Sequence, residues 1–291
     1  MAKVGRQRII YDNAAFIGNV GWRQNEQTFD AVSLTNTSID KLTINYAYLN
    51  QVNRIFGSNT DTPIPAGPPP FTNVEYDGAS AHLLNASYHI DKDFMVGGYA
   101  YIMNFEDLRA WDNNTFGVST KVTLGGVALC GELAYQDKAG VLGEEDAMYA
   151  HITASKTFYT QTFTVGFESL GSGFKTPLAT LHAFNGFADA NDGGRTWGAH
   201  NGLSDLYLSH TTPLFLGIKW LNAVHALGDN DMSSGYGWVH DSVRTKKFDD
   251  NFTAIAKFAH FESEGDVYIN NPLGAGLPTT SRFPVELNYT F

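Results

Sequence analysis

The feature that most constrains this chain is the rhythm of its connections. Segments whose apolar and polar residues alternate at period two are joined, in turn, by a long connection and a short one. Such alternation marks a strand with one dry and one wet face. The predicted strands cover 4–11, 28–36, 42–56, 75–90, 94–105, 116–124, 127–136, 148–158, 161–170, 204–211, 214–227, 236–247, 251–263 and 283–291. Tight turns fall at Ile39-Asp40, Asp91-Lys92-Asp93, Gly125-Gly126, Tyr159-Thr160, Thr212-Pro213 and Asp249-Asp250, the glycine pair being a strong hairpin signal. The remaining connections are longer, up to 171–203, and all lie at one end of the sheet. A soluble sandwich has no reason to sort its loops in this way, and a lipocalin-type barrel is far shorter.

The fold class this predicts is all-β: one domain over 1–291, a transmembrane antiparallel up-and-down β-barrel of about fourteen strands, with long extracellular loops and short periplasmic turns. The final segment sets Phe283, Val285, Leu287, Tyr289 and Phe291 against Pro284, Glu286, Asn288 and Thr290. It is expected to close on the first strand, since closure removes both sheet edges. Composition agrees. Twenty Phe, fourteen Tyr, five Trp and twenty-nine Gly suit strands, turns and aromatic girdles, and no apolar run approaches the roughly eighteen residues of a spanning helix.

A net charge of -11 argues against a nucleic-acid partner. The single Cys130 permits no internal disulfide. Met1-Ala2-Lys3 is not followed by the apolar core of a signal peptide, so an exported chain is expected here in a form without one.

Strand parity separates an oily row from a wet row. Over 127–136, Val127, Leu129, Leu133 and Tyr135 oppose Cys130, Glu132 and Gln136; over 161–170, Phe163, Val165 and Phe167 oppose Thr164 and Glu168. The expected pore-lining set is Arg6, Arg8, Lys121, Glu132, Glu168, Lys219, Lys257 and Glu286. Its bases either select anions or pair with wall carboxylates and stiffen the barrel.

Catalytic chemistry is weakly represented. No His pair has metal-ligand spacing, no G-x-S-x-G elbow occurs, and the neighbours Ser209/His210 and Ser155/His151 are the nearest approach to a nucleophile and base. Asp189-Ala190-Asn191-Asp192-Gly193-Gly194 starts like a calcium loop, but His200 stands where its closing Glu belongs. Neither an enzyme activity nor a cofactor is expected.

Two stretches resemble a known family. Gly5-Arg6-Gln7-Arg8-Ile9, followed by Phe16-Ile17-Gly18-Asn19-Val20-Gly21-Trp22-Arg23, is similar to a strand and loop of the alginate-export porins of bacterial outer membranes, and so is the run from Phe174-Lys175-Thr176-Pro177 to Asp189. The resemblance implies an outer-membrane barrel for passive diffusion of anionic solutes or polysaccharide, with Arg6 and Arg8 as lumen arginines. It implies the lipid bilayer and the barrel-insertion machinery as partners, the latter meeting the terminal Phe291. The family barrel has more strands than are counted here, so the chain is expected to be either a trimmed or engineered form that re-closes its first strand on its fourteenth, or a natural smaller member. The alternative is a barrel whose lumen is plugged, by 171–203 above all, serving adhesion or structure.

Overall fold

The computed structural model describes residues 1–22, 25–55, 78–106, 109–140, 143, 145–190, 195, 198–264 and 278–290. Fifteen strands form a single sheet: β1 Ala2–Gln7, β2 Thr28–Asn36, β3 Leu42–Asn53, β4 Ala79–His89, β5 Phe94–Phe105, β6 Asn113–Leu124, β7 Val127–Ala139, β8 Glu145–Phe158, β9 Gln161–Leu170, β10 Leu203–Pro213, β11 Ile218–Gly228, β12 Gly235–Lys247, β13 Phe252–Ser263, β14 Thr280–Arg282 and β15 Val285–Tyr289. Each pairs antiparallel with its neighbour in sequence, and β15 follows β14 along the edge of β13. The meander is thus the predicted one.

The differences have local causes. The first strand stops at Gln7 because from Arg8 the chain leaves the sheet and turns inward, burying Ala15, Phe16 and Ile17. The eleventh starts at Ile218 because Leu214 to Gly217 is a tight turn, in which Leu216 has φ 57. The last predicted strand is two pieces. Pro284 has no N–H to give the ladder, and its carbonyl takes the Lys257 N–H at 3.0 Å between them. Among the described residues β1 pairs only with β2 and β15 only with β13, so the expected closure is not observed. The predicted loops over 57–73 and most of 264–280, the strand ends at Phe56 and Glu75, and Phe291 lie outside the described residues.

The sheet is inverted relative to a soluble protein. One row, including Val32, Leu34, Ile102, Phe116, Val118, Leu133, Ile152, Val165, Leu206 and Leu208, is exposed, with Ile152 at 61%. The opposite row, with Glu168, Asp205, Asp241 and Lys257, is buried. Water would not tolerate so broad an oily surface, whereas lipid requires it. Strands β2 to β13 run 9 to 14 residues, which at a tilt of about 45° suits an apolar band on the order of 25 Å.

Two inward glycines make room for tyrosine rings lying across the neighbouring strand. Gly117 faces Tyr99 and Gly166 faces Tyr207, and a Cβ at either would stand 2.2 Å from the ring. These rings reach on to Glu132 and His151, at 2.7 and 2.9 Å. Gly117→Ala is therefore expected to displace Tyr99, break its bond to Glu132 and cost about 1–3 kcal/mol, read as a lower urea midpoint. A midpoint equal to that of the parent would contradict this packing.

Candidate functional site: the filled interior

Two connections from the long-loop end send described residues between the walls, those of 8–22 and 25–27 and those of 171–190, 195 and 198–202. Their pairing is backbone to backbone: Gly18 N–H donates to Leu178 O at 2.9 Å, and Thr180 N–H to Ala14 O at 3.0 Å. Gly18 is required there, because a Cβ would lie 2.2 Å from Thr180 Oγ1. Gln27 Nε2 joins both segments by donating to Gly18 O and Leu178 O. Phe16 then meets Tyr149 at 5.0 Å, Tyr99 at 5.4 Å and Phe174 at 5.9 Å between ring centroids, an aromatic layer across the interior.

Gly173 to Thr180 is buried without interruption. Buried backbone demands partners, and the walls supply them. Gln136 exchanges two bonds with Lys175, its Oε1 accepting the N–H at 2.9 Å and its Nε2 donating to the carbonyl at 2.8 Å. Arg54 Nη1 donates to Pro177 O at 2.7 Å. The Lys175 ammonium donates to Ala110 O and Gly140 O at 2.8 and 2.7 Å. Burial pushes that ammonium down to about 8, against the upward pull of Asp112.

Beyond Thr180 the anchors are charged. Arg195 Nη1 donates to Glu168 Oε2 at 2.6 Å and to Asn185 Oδ1 at 3.0 Å, with the guanidinium 4.6 Å from the centre of the Phe184 ring. Burial works to lower the Arg195 pKa, but the Glu168 carboxylate beside it raises it further. Asn185 Nδ2 reaches Glu168 and Asp205 at 3.0 and 3.1 Å. The Phe187 N–H is shared between both oxygens of Asp241, at 3.0 and 3.2 Å. His225 stands between Asp205 and Asp241, 2.9 Å from the first and 3.7 Å from the second.

Six of the eight expected pore residues face inward: Lys121, Glu132, Glu168, Lys219, Lys257 and Glu286. Glu132 accepts from Tyr99, and Lys257 pairs with Glu286 at 2.5 Å beneath the Trp22 ring. Lys121 and Lys219 sit near the short-turn end, with no carboxylate in ion-pair reach among the described residues. Arg6 shares its face with Val4, in register with Asp30 beside Val32 and Leu34, and binds that Asp30 at 2.8 Å. It thus stands on the outer row, at the sheet margin. Arg8 lies past the end of β1, exposed, 3.2 Å from Glu26.

Of the imagined nucleophile pairs, Ser209 points inward while His210 points outward onto Phe163 and Gln161. Ser155 bonds Thr164, and His151 bonds Tyr207. Asp189 of the calcium-like run accepts from Arg282 and His182, while Asn191 to Gly194 lie outside the described residues. What sequence reading missed is Arg195, Asn185, Asp205 and Asp241. The wall pair Asp205 and Asp241 sits at inward parity, a legible signal, whereas the loop residues carry none.

An inverted antiparallel meander with sorted loops and a polar interior defines the outer-membrane barrel class, and lipid is the solvent of its outer face. Solved structures of that class share the fold. OpdQ of Pseudomonas aeruginosa is 14% identical with a TM-score of 0.68, over 99% of this chain and 77% of that one. OccAB3 of Acinetobacter baumannii is 12% identical at 0.66, over 100% and 74%. OpdK of Pseudomonas aeruginosa, solved with vanillate, is 12% identical at 0.65, over 99% and 74%. No protein-family model matches the chain, and no curated protein matches it. The fold is thus that of the Occ and Opd barrels, a broader likeness than the alginate-export porins alone.

Proposed function

We propose that the chain is an outer-membrane channel for passive diffusion of a small polar solute, without catalysis, whose interior is constricted by its own inward segments. The observation that carries this reading is the inverted sheet: a wall oily outside and charged inside has a use only where water must be enclosed within lipid. Closure of β1 on the C-terminal strand belongs to the proposal, because unpaired N–H and C=O groups facing lipid cost several kcal/mol each, on the order of a lost buried hydrogen bond.

Anionic or saccharide solutes are the class we favour. The inward Lys121 and Lys219, free of carboxylates among the described residues, support it, as does the vanillate in the similar fold of OpdK. In planar bilayers the reconstituted chain is expected to give discrete current steps and, across a salt gradient, a reversal potential of anion preference. Lys121→Glu combined with Lys219→Glu is expected to reverse that preference. Absence of steps at any voltage would remove the channel reading, and cation preference in the parent would remove the solute class.

The buried run from Gly173 to Thr180 favours a second reading, a plugged barrel of structural or adhesive role. Under it, the parent is silent and deleting 173–190 opens it.

A further inference from the structure

The oily outer row carries cations at both of its ends, and their surroundings differ. At the long-loop end Arg6 is matched by a carboxylate, Asp30. At the short-turn end Lys156 on β8 and Arg244 and Lys246 on β12 share the outward parity of the exposed Ile152 and Trp238. Among the described residues none of these three has a carboxylate in ion-pair reach. Each lies against an aromatic ring instead, its charged group 5.2 Å from the centre of Phe158, 5.3 Å from Trp220 and 5.9 Å from Phe248, respectively. A cation at the margin of hydrocarbon is costly unless an anion meets it there.

Arg244 and Lys246 stand in a built place. Trp220 of β11 faces Arg244 directly across the ladder, and its indole N–H donates to Ser242 Oγ at 2.9 Å, which fixes the ring beside the guanidinium. The Lys246 ammonium donates to Leu216 O in the turn before β11, which leaves it two further N–H groups. The two cations follow each other on one side of β12, about 7 Å apart along the strand. On the far side β13 sets Ala256 and Ala254 opposite them, so nothing taller than a methyl group closes the space beside either charge. Past these, Val285 and Leu287 of β15 are exposed at 61 and 68%. We propose that Arg244, Lys246 and Trp220 form an outer-wall site for the phosphate of an anionic phospholipid in the leaflet at the short-turn end, its acyl chains lying over Ala254, Ala256, Val285 and Leu287. The site depends on the outer-membrane placement of the barrel and not on conduction.

The donors and their setting name this ligand. A guanidinium stacked by its face on an indole keeps its N–H edge free, and that planar fork matches two oxygens of one phosphate. Lys246 supplies a second positive charge within reach of the same head group. Two cations without a carboxylate leave a surplus that a choline head, with an ammonium of its own, does not neutralise, whereas a phosphatidylglycerol head does. Free phosphate would have to leave water for an apolar margin, but a lipid phosphate already lies at that depth.

Native mass spectrometry of the full chain, released from a neutral detergent holding equal amounts of phosphatidylglycerol and phosphatidylcholine, tests the site. The first retained lipid is expected to be phosphatidylglycerol, by about tenfold or more. Equal retention of the two lipids by the parent chain would overturn the proposal, and this comparison needs no variant to assemble. Arg244→Gln with Lys246→Gln is expected to abolish the preference, while Lys156→Gln, which removes an outward cation elsewhere on the wall, leaves it intact. A preference that survives the double change, or that Lys156→Gln weakens as much, would mean a diffuse belt of charge and end the proposal. Inorganic phosphate at matched ionic strength is expected not to displace the bound lipid; displacement would replace the lipid site with a general anion site. Lipid retention is read without current, so a silent bilayer refutes the channel and leaves this site to its own test.

Discussion

Replacing Arg195 by methionine is expected to destabilise the docked interior by about 3–5 kcal/mol, one of the two largest single effects in the molecule. The reason lies with the residue left behind. Glu168 is 3% exposed, and its Oε2 takes the guanidinium at 2.6 Å. Without Arg195 the carboxylate keeps only the Asn185 amide and the Tyr149 hydroxyl, at 3.0 and 2.8 Å, as neutral donors in a place water cannot restore. Hydrogen exchange is expected to show 185–190 open at neutral pH, and urea to show a lower midpoint. Pairing the change with Glu168→Gln removes the orphaned charge, so the double variant is expected to regain most of the loss. If the double variant is as unstable as Arg195→Met alone, packing rather than charge explains the site.

The meander was legible because it rests on local rules. Period-two alternation reports the face of each residue, and Gly125-Gly126 takes φ 57 and 74, the geometry the hairpin needs. Parity likewise placed Lys121, Glu132, Glu168, Lys219, Lys257 and Glu286 on the inward row. Arg6 went astray for a reason of the same kind: its partner row holds Val32 and Leu34, and an ion pair with Asp30 at 29% side-chain exposure interrupts an otherwise oily face at the sheet margin. The interior was illegible because it depends on contacts far apart in sequence. Gly18 meets Leu178, Arg54 meets Pro177, and Phe187 meets Asp241, none of which a periodic pattern announces. The break at Pro284 was visible in the sequence as a residue without an N–H, yet alternation on either side hid it.

Phe16→Ala is the second large effect, about 3–5 kcal/mol, and it tests whether the two inward segments act as one body. Phe16 is 6% exposed and touches Tyr99 and Tyr149 of the wall and Phe174 of the other segment. Truncation leaves a hole the size of a ring, bounded by strands that the sheet ladder prevents from closing in. Because Gly18 and Thr180 pair across the segments, loosening Phe16 is expected to expose amides near Leu178 as well as those near Ile17. Phe16→Leu fills most of the space and is expected to cost less than about 1.5 kcal/mol. In bilayers the Ala variant is expected to conduct more than the Leu variant at the same voltage. Loss of protection confined to the Phe16 side would mean that the aromatic layer seals the interior without joining its two halves, and that the contacts of Asn185 and Arg195 with Glu168 and of Phe187 with Asp241 hold the second segment alone.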